Sequence, residues 1–307
     1  MLEDQKPGTV YWIDHYVVGT NDVERWVDFH EKVLGAKTAR PAGDGQGRGA
    51  PGMFQDLAGP CHHGGFGQRE PLPPGAGLGT TYPRYGLWIR PGDIDEHLRR
   101  LDEYQVPHTD PVRTSAEGEP GTAIYWEDPD ANGFEFWAPD RLPDGAMDGA
   151  GPLKIGRISH GVFESRDLQR TADFFSHYCA MDPLVSGDIA SDTLVLPLAG
   201  GGRIIYKQVE KFQQRTGGWG KYNGPHAALV VRDADFFPNY ERMWNELPDW
   251  EYDKETGKFI GSGDTLPART ARHGSPAGRK FYDIYGRGDD WYDWDSNCFH
   301  FFGGLAQ

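Results

Sequence analysis

The stretch Trp291-Tyr292-Asp293-Trp294-Asp295-Ser296-Asn297-Cys298-Phe299-His300-Phe301-Phe302 decides the fold, because a related stretch occurs earlier in the chain. The earlier copy is Asp128-Pro129-Asp130-Ala131-Asn132-Gly133-Phe134-Glu135-Phe136. Asp, Ser and Asn favour a turn, and the aromatic residues that follow are typical of a strand whose successive side chains alternate between faces. His300 aligns with Glu135, and both side-chain types bind metal ions in proteins. The two copies therefore predict a duplicated chain with a metal site in one copy.

The composition limits the classes of function that need to be considered. The chain has 307 residues, a formal charge of −15 and 25% charged residues, without a basic run that would attract nucleic acid. No apolar run approaches the roughly 20 residues of a membrane span, and the acidic start Met1-Leu2-Glu3-Asp4 is unlike a secretory leader. Three scattered cysteines favour neither a disulfide framework nor a CxxC zinc site. These features predict a cytoplasmic protein that binds neither nucleic acid nor membrane.

Four similar units follow one another along the chain. Each unit opens with a strand, continues with an amphipathic helix and closes with further strands. The opening strands contain His15, Arg84, His160 and His226; 69 positions separate the first pair and 66 the second. Such self-similarity indicates repeated supersecondary units. We predict an α+β fold of four βαβββ modules paired into two tandem domains, with residues 1–142 and 153–307 as the domains and 143–152 as the linker.

Three positions recur in each half and are the candidate metal ligands. They lie in the first strand of the odd unit and in the first and last strands of the even unit. The amino-terminal half supplies His15, Arg84 and Glu135, and the carboxy-terminal half supplies His160, His226 and His300. A fixed guanidinium charge repels a cation, so we expect a degenerate site in the first half. Three neutral imidazoles suit Fe(II), Mn(II) or Zn(II) and leave coordination positions open for a reaction.

Simpler explanations compete with metal binding at several of these residues. His300 taken alone is better explained as a core histidine, and only its match with His160 and His226 favours ligation. His15 and Glu135 could form a second site, although Arg84 favours a structural hydrogen-bonded pair. The tract Cys61-His62-His63 lies in a Gly-rich stretch and is predicted to be an exposed loop or a lid.

The repeated unit, the histidine in the first strand and the turn Asp128-Pro129-Asp130-Ala131-Asn132-Gly133-Phe134-Glu135 resemble the vicinal oxygen chelate superfamily. This superfamily includes glyoxalase I, bleomycin-resistance proteins and type I extradiol ring-cleaving dioxygenases. Four units with ligands in the second half are most similar to the extradiol dioxygenases. The resemblance implies that His160 and His226 are metal ligands and that His300 replaces the family's glutamate. Exchanging a carboxylate for an imidazole makes the metal centre one unit more positive.

The resemblance also implies residues that handle protons and substrate, and here the chain departs from the pattern. The family has a histidine shortly before the second ligand, whereas this chain has none between Tyr206 and Pro225. Before the third ligand it has His273, Tyr285 and Tyr292. We expect Tyr285 or Tyr292 to orient a metal-bound hydroxyl and His273 to transfer protons.

The function expected from these features is oxygen-dependent cleavage of a catechol-like ring by a mononuclear Fe(II) centre, with Mn(II) or Zn(II) as alternative metals. The partners would be a small aromatic substrate, O₂ and further copies of the chain in a homo-oligomer. The missing acid–base histidine favours a first alternative, a redox-neutral isomerase, epimerase or hydrolase of the same fold. A second alternative is a non-catalytic protein that binds and sequesters a small molecule.

Overall fold

The computed structural model describes residues 8–20, 22–40, 52–56, 62–66, 75–115, 118–210, 226–246, 252–253, 258–259, 268–269, 291–292 and 298–305. Within these ranges, helices and strands alternate along the chain in a mixed α+β arrangement, as predicted. Among the described residues no helix is both long and apolar enough to cross a bilayer.

The first two units contain two helices and eight strands. The first unit comprises β1 (Val10–Gly19), α1 (Val23–Leu34), β2 (Lys37–Arg40), β3 (Gly52–Asp56) and β4 (His62–Phe66). The second unit comprises β5 (Arg84–Trp88), a short 3-10 turn (Pro91–Asp93), α2 (Ile94–Glu103), β6 (Val112–Thr114), β7 (Gly121–Glu127) and β8 (Gly133–Pro139). The observed β4 shows that the prediction of an exposed loop at His62 and His63 was wrong.

The last two units are less regular than the first two. The third comprises β9 (Ile158–Ser165), α3 (Leu168–Cys179), β10 (Thr193–Pro197) and β11 (Arg203–Gln208). The fourth comprises β12 (His226–Arg232), α4 (Asp233–Glu246), β13 (Tyr252–Asp253), β14 (Lys258–Phe259), β15 (Ala268–Arg269), β16 (Trp291–Tyr292) and β17 (Cys298–Leu305). In the described residues the third unit has two strands after its helix, so the regular βαβββ pattern is not seen in every unit.

Strand pairing joins units from different halves of the chain. The eight-stranded sheet has the order β15-β16-β17-β12-β1-β4-β3-β2, and the seven-stranded sheet has the order β10-β11-β9-β5-β8-β7-β6. The first strands of the first and fourth units, β1 and β12, pair antiparallel, and so do β5 and β9 of the second and third units. Each sheet therefore contains strands from both halves, which differs from the predicted pairing within two tandem halves. The boundaries 1–142, 143–152 and 153–307 stay a prediction about the sequence repeat.

The main core lies between the two sheets and is rich in aromatic side chains. The rings of Tyr16 on β1 and Tyr85 on β5 stack with centroids 4.4 Å apart. Phe163 on β9 and Phe299 on β17 make a second contact between the sheets at 5.0 Å. All four rings are almost completely buried, and aromatic pairs of this kind contribute more than their buried area alone. This packing holds the two sheets together.

Two helices begin with the same capping arrangement, which supports the repeat. Asp22 precedes α1 and its carboxylate accepts from the backbone N–H of Arg25 at 3.0 Å. Asp167 precedes α3 and accepts from the backbone N–H of Arg170 at 3.1 Å. The backbone angles of the two caps are nearly identical, with φ −144° and −145°. Helix α1 ends at Gly35, whose φ of 65° is the left-handed conformation that glycine adopts without strain.

The Asp-rich turn that revealed the repeat has a structural role in the second unit. The carboxylate of Asp128 accepts from the backbone N–H groups of Asp130 and Asn132, both at 2.9 Å. Asn132 then donates from Nδ2 to the carbonyl of Gly19 at 2.8 Å, and Asp130 accepts from the Thr20 hydroxyl at 2.7 Å. The turn therefore fastens the end of β1 to the start of β8. Asp128 satisfies backbone N–H groups of its own turn, and Asp130 accepts from a side-chain hydroxyl just beyond β1.

Candidate functional site

Two buried histidines meet where the first unit pairs with the fourth. His15 lies on β1 and His226 on the adjacent strand β12, and both side chains are almost fully buried. Their ring centroids are 5.5 Å apart in an edge-to-face arrangement. A metal–imidazole bond is only about 2.0–2.1 Å long, so two rings on one ion must lie in near contact, as these do. Two imidazole rings at this distance fit a transition-metal site.

His300 lies on a third strand, β17, and its backbone extends the row of histidine positions across β1, β12 and β17. Ala228 pairs with His15 on β1 and with His300 on β17. His226 is two residues before Ala228 on β12 and therefore belongs to the same face of the sheet. We call the positions of His15, His226 and His300 the histidine row. Adjacent to it, His62 on β4 is the register partner of His15.

The remaining residues predicted from the sequence are only partly placed. Tyr292 on β16 pairs with Cys298 on β17, which in turn pairs with His226. Tyr285 and His273 lie outside the described residues, as do the side chains of Tyr292 and His300. Among the side chains that are described, no three His, Cys, Asp or Glu residues converge as a group that could hold a metal ion.

A second polar group occupies the corresponding place in the seven-stranded sheet. Gly86 pairs with Glu135 on β8 and with His160 on β9, while Arg84 is two residues before it on β5. Glu135 Oε2 accepts from Arg84 Nε at 3.1 Å and contacts His160 Nε2 at 3.2 Å. All three side chains are buried. We call Arg84, Glu135 and His160 the arginine cluster; its positions match those of His226, His300 and His15.

Charge inside the arginine cluster is balanced by the protein itself. Burial alone would raise the pKa of Glu135, but the neighbouring His160 and Arg84 outweigh burial and hold this pKa below its usual value. Arg84 also donates to the carbonyl of Gly79 at 2.5 Å and lies over the ring of Tyr125, 4.8 Å from its centroid. The Arg84 guanidinium is thus paired with the Glu135 carboxylate, and the expectation that its charge excludes a metal ion stays a prediction.

The missing side chain of Gly86 leaves the space in which His160 contacts Glu135. A Cβ atom at this position would lie 2.3 Å from His160 Cε1 and 2.5 Å from Ser159 Oγ. Any side chain here would therefore push His160 away from Glu135. The matching position in the histidine row is Ala228, which has a Cβ atom between the backbones of His15 and His300.

The structure regroups the residues that the sequence predicted as metal ligands. It brings His226 and the backbone of His300 together, but it places His160 in the other sheet beside Glu135. His15, which the sequence assigned to a degenerate half, lies beside His226 because β1 pairs with β12. The predicted set of His160, His226 and His300 is therefore not assembled in one sheet, and the role of each residue as a ligand stays a prediction. The signal that could have identified His15 is its match to His160 in the repeat.

Comparison with known proteins gives an independent view of the fold. Residues 12–136 match the model of the Glyoxalase/Bleomycin resistance protein/Dioxygenase superfamily. No curated protein matches the sequence.

Solved structures resemble the chain over nearly its whole length. A candidate dioxygenase from Bacillus subtilis subsp. subtilis str. 168 has a TM-score of 0.66 at 14% identity, covering 97% of this chain and 86% of that one. Glyoxalase I from Zea mays has a TM-score of 0.56 at 12% identity, covering 95% of this chain and 92% of that one. A point mutant of the same plant enzyme gives a TM-score of 0.57 at 13% identity, covering 95% of this chain and 93% of that one. The family model over residues 12–136 and these shared folds therefore make the chain similar to the glyoxalase, bleomycin-resistance protein and dioxygenase superfamily.

Proposed function

We propose that the chain is a mononuclear metalloenzyme whose ligands are His15, His226 and His300, and that it cleaves a catechol-like ring with O₂. The observation that carries the proposal is the contact between the buried rings of His15 and His226, beside a strand that presents His300 in the same row. Fold similarity to the candidate dioxygenase from Bacillus subtilis, over 97% of the chain, is consistent with this reaction.

The donor set favours a first-row transition metal. Imidazole nitrogen binds Fe(II), Mn(II) and Zn(II), and three such ligands leave positions open for a substrate with two adjacent oxygens. When bound, Fe(II) would supply Lewis acidity and a route for electrons between a catecholate and O₂. Because all three ligands are neutral, the centre would keep its full positive charge and favour an ionised, chelating substrate.

The residues around the row would bind and orient the substrate. His15 and His226 are buried, so a ligand held there would be shielded from bulk water and would interact more strongly with charges than it would in water. Tyr292 belongs to the strand next to β17 and is our candidate for orienting a substrate hydroxyl. The roles of Tyr285 and His273 in orienting substrate and moving protons remain part of the proposal.

A redox-neutral reaction of the same fold is the second candidate. It is favoured by the likeness to glyoxalase I from Zea mays, which covers 95% of this chain with a TM-score of 0.56. The absence of a histidine between Tyr206 and Pro225 points the same way. Such an isomerase, epimerase or hydrolase would use Zn(II) or Mn(II) as a Lewis acid without consuming O₂.

Metal reconstitution and two activity measurements separate these candidates. The protein would be stripped with a chelator, reloaded under argon with Fe(II), Mn(II) or Zn(II), and analysed for bound metal. Oxygen uptake on a panel of substituted catechols with the Fe(II) form supports ring cleavage. Solvent deuterium entering a carbon-bound position, without oxygen uptake, supports the redox-neutral reaction. Binding of a small molecule without turnover by any metal form would overturn both enzymatic proposals.

Single alanine variants test which residues hold the metal. We expect His15→Ala, His226→Ala and His300→Ala to lose stoichiometric metal while keeping the circular dichroism spectrum of the fold. His160→Ala is the matched control, since it removes an equivalent histidine from the other sheet. Metal loss in His160→Ala with retention in His15→Ala would restore the ligand set predicted from the sequence. Oligomeric state, expected to be a homo-oligomer, is measured in parallel by light scattering.

A further inference from the structure

A β-bulge precedes the histidine in both β1 and β9. On β1, His15 pairs with Ala228 but Ile13 pairs with Leu229. The segment from Ile13 to His15 therefore contains one more residue than the segment of β12 opposite it. On β9, His160 pairs with Gly86 and Ile158 pairs with Leu87 in the same way. The extra residues are Asp14 and Ser159.

The bulge puts two consecutive side chains on one face of the sheet. In a regular strand neighbouring side chains point to opposite faces, but Ile13 and Tyr16 both lie in the main core. Asp14 and His15 are therefore both on the opposite face. As a result, Asp14 Oδ2 contacts His15 Nδ1 at 2.7 Å, and Ser159 Oγ contacts His160 Nδ1 at 3.0 Å.

The two bulge residues place different restrictions on the proton at Nδ1 of their histidines. A carboxylate only accepts hydrogen bonds, so the proton shared with Asp14 belongs to Nδ1 of His15, and Nε2 carries the lone pair. His160 instead points Nε2 at the carboxylate of Glu135, so that nitrogen donates. The Ser159 hydroxyl can either donate to Nδ1 of His160 or accept from it, whereas a carboxylate can only accept.

We propose that Asp14 is a positioning residue that holds His15 in the Nδ1–H tautomer and so presents Nε2 to the metal. This inference rests on the proposed function, because it assigns a hydrogen-bond partner to His15, which is one of the proposed metal ligands. The carboxylate fixes the ring orientation and makes the imidazole a stronger donor, as carboxylate partners of metal-bound histidines do. In the arginine cluster the same position carries Ser159, and His160 is turned toward Glu135 instead.

Asp14→Ser tests the proposal by copying the residue of the other bulge. Long-range proton–nitrogen NMR of ¹⁵N-histidine-labelled, metal-free protein reports the tautomer of His15, and chelator competition reports Zn(II) affinity. We expect Nδ1–H in the native protein, a shift toward Nε2–H in Asp14→Ser, and about a 10–100-fold loss of Zn(II) affinity. Asp14→Asn keeps the size without the charge, so its affinity should fall between the two. Ser159→Ala is the control and should leave Zn(II) affinity unchanged.

The two readouts keep this inference separate from the proposed function. If the native protein binds no metal, the proposed function fails, while the tautomer of His15 is still read in the metal-free protein. A native His15 protonated at Nε2 would overturn the inference whether or not metal binds. Unchanged Zn(II) affinity in both Asp14→Ser and Asp14→Asn would also overturn it.

Discussion

The histidine row and the arginine cluster occupy equivalent positions in two sheets but have opposite charge patterns. His226, His300 and His15 in one sheet correspond to Arg84, Glu135 and His160 in the other. Imidazoles, the side chains of the histidine row, carry no permanent charge, whereas the arginine cluster contains a guanidinium and a carboxylate. The comparison shows how one strand arrangement can support either a proposed metal site or a closed internal ion pair.

The largest effect is expected when the arginine cluster is converted toward a metal site. Arg84→His places an imidazole at the position that matches His226, next to Glu135 and His160, and removes the charge that repels a cation. We expect the bound Zn(II) to rise by one equivalent relative to the native protein, measured by elemental analysis. Arg84→Gln, which removes the charge without adding a ligand, is the control. An unchanged zinc content in a folded Arg84→His protein would break the equivalence of the two sites.

Removing the internal cation should also destabilise the fold. Arg84→Met leaves the buried carboxylate of Glu135 without its guanidinium partner, and we expect a loss of about 3–5 kcal/mol in the free energy of unfolding. Urea denaturation measures this loss. Arg113→Met is the matched control, because the pair between Arg113 and Asp140 is exposed to solvent and should contribute little to stability. Equal losses of stability in the two variants would show that the ion pair with Arg84 does not stabilise the buried Glu135 carboxylate.

Two buried histidines outside both sites should make the stability of the fold depend on pH. Burial lowers the pKa of His97 on α2 to about 4 and that of His30 on α1 to about 3, from an ordinary value of 6.5. Below pH 6.5 the unfolded chain therefore binds more protons than the folded one. The stability present above pH 6.5 is lost as the pH falls toward 4, by about 3 kcal/mol for His97 alone.

The variant His97→Leu isolates this contribution. Neither ring nitrogen of His97 has a hydrogen-bond partner in the described structure, so leucine should also remove unsatisfied polar atoms from the core. Urea denaturation at several pH values between 6.5 and 4 should show a flatter pH dependence than in the native protein. A pH dependence identical to that of the native protein would mean that His97 does not titrate on unfolding in this range.

The smallest predicted effect concerns the equivalent N-terminal caps of helices α1 and α3. Asp22→Ala and Asp167→Ala each remove one capping hydrogen bond, and we expect each to cost about 1 kcal/mol. Thermal denaturation of both variants tests whether equivalent positions of the repeat contribute equally. A loss of stability much larger than that expected for one capping hydrogen bond would indicate that Asp22 or Asp167 has a further role.

Much of the local structure could be predicted from the sequence. The alternation in β17 places Phe299 and Phe301 in the core, as expected from the aromatic pattern around His300. The caps at Asp22, Gly35 and Asp167 follow from residue types whose backbone and side-chain preferences are local. The strand at His62 was missed, because its glycines are typical of loops and its pairing with β1 is a tertiary contact.

The sequence by itself determined that similar strand–helix units recur and that histidines recur at matched strand positions. Only the tertiary structure decided which units pair, and therefore that His15 rather than His160 lies beside His226. The physical reason is that the first strands of the units are alike, so each can hydrogen-bond to more than one sister strand. The choice among them depends on long-range packing, such as the contacts of Tyr16 with Tyr85 and of Phe163 with Phe299, which no local pattern reveals.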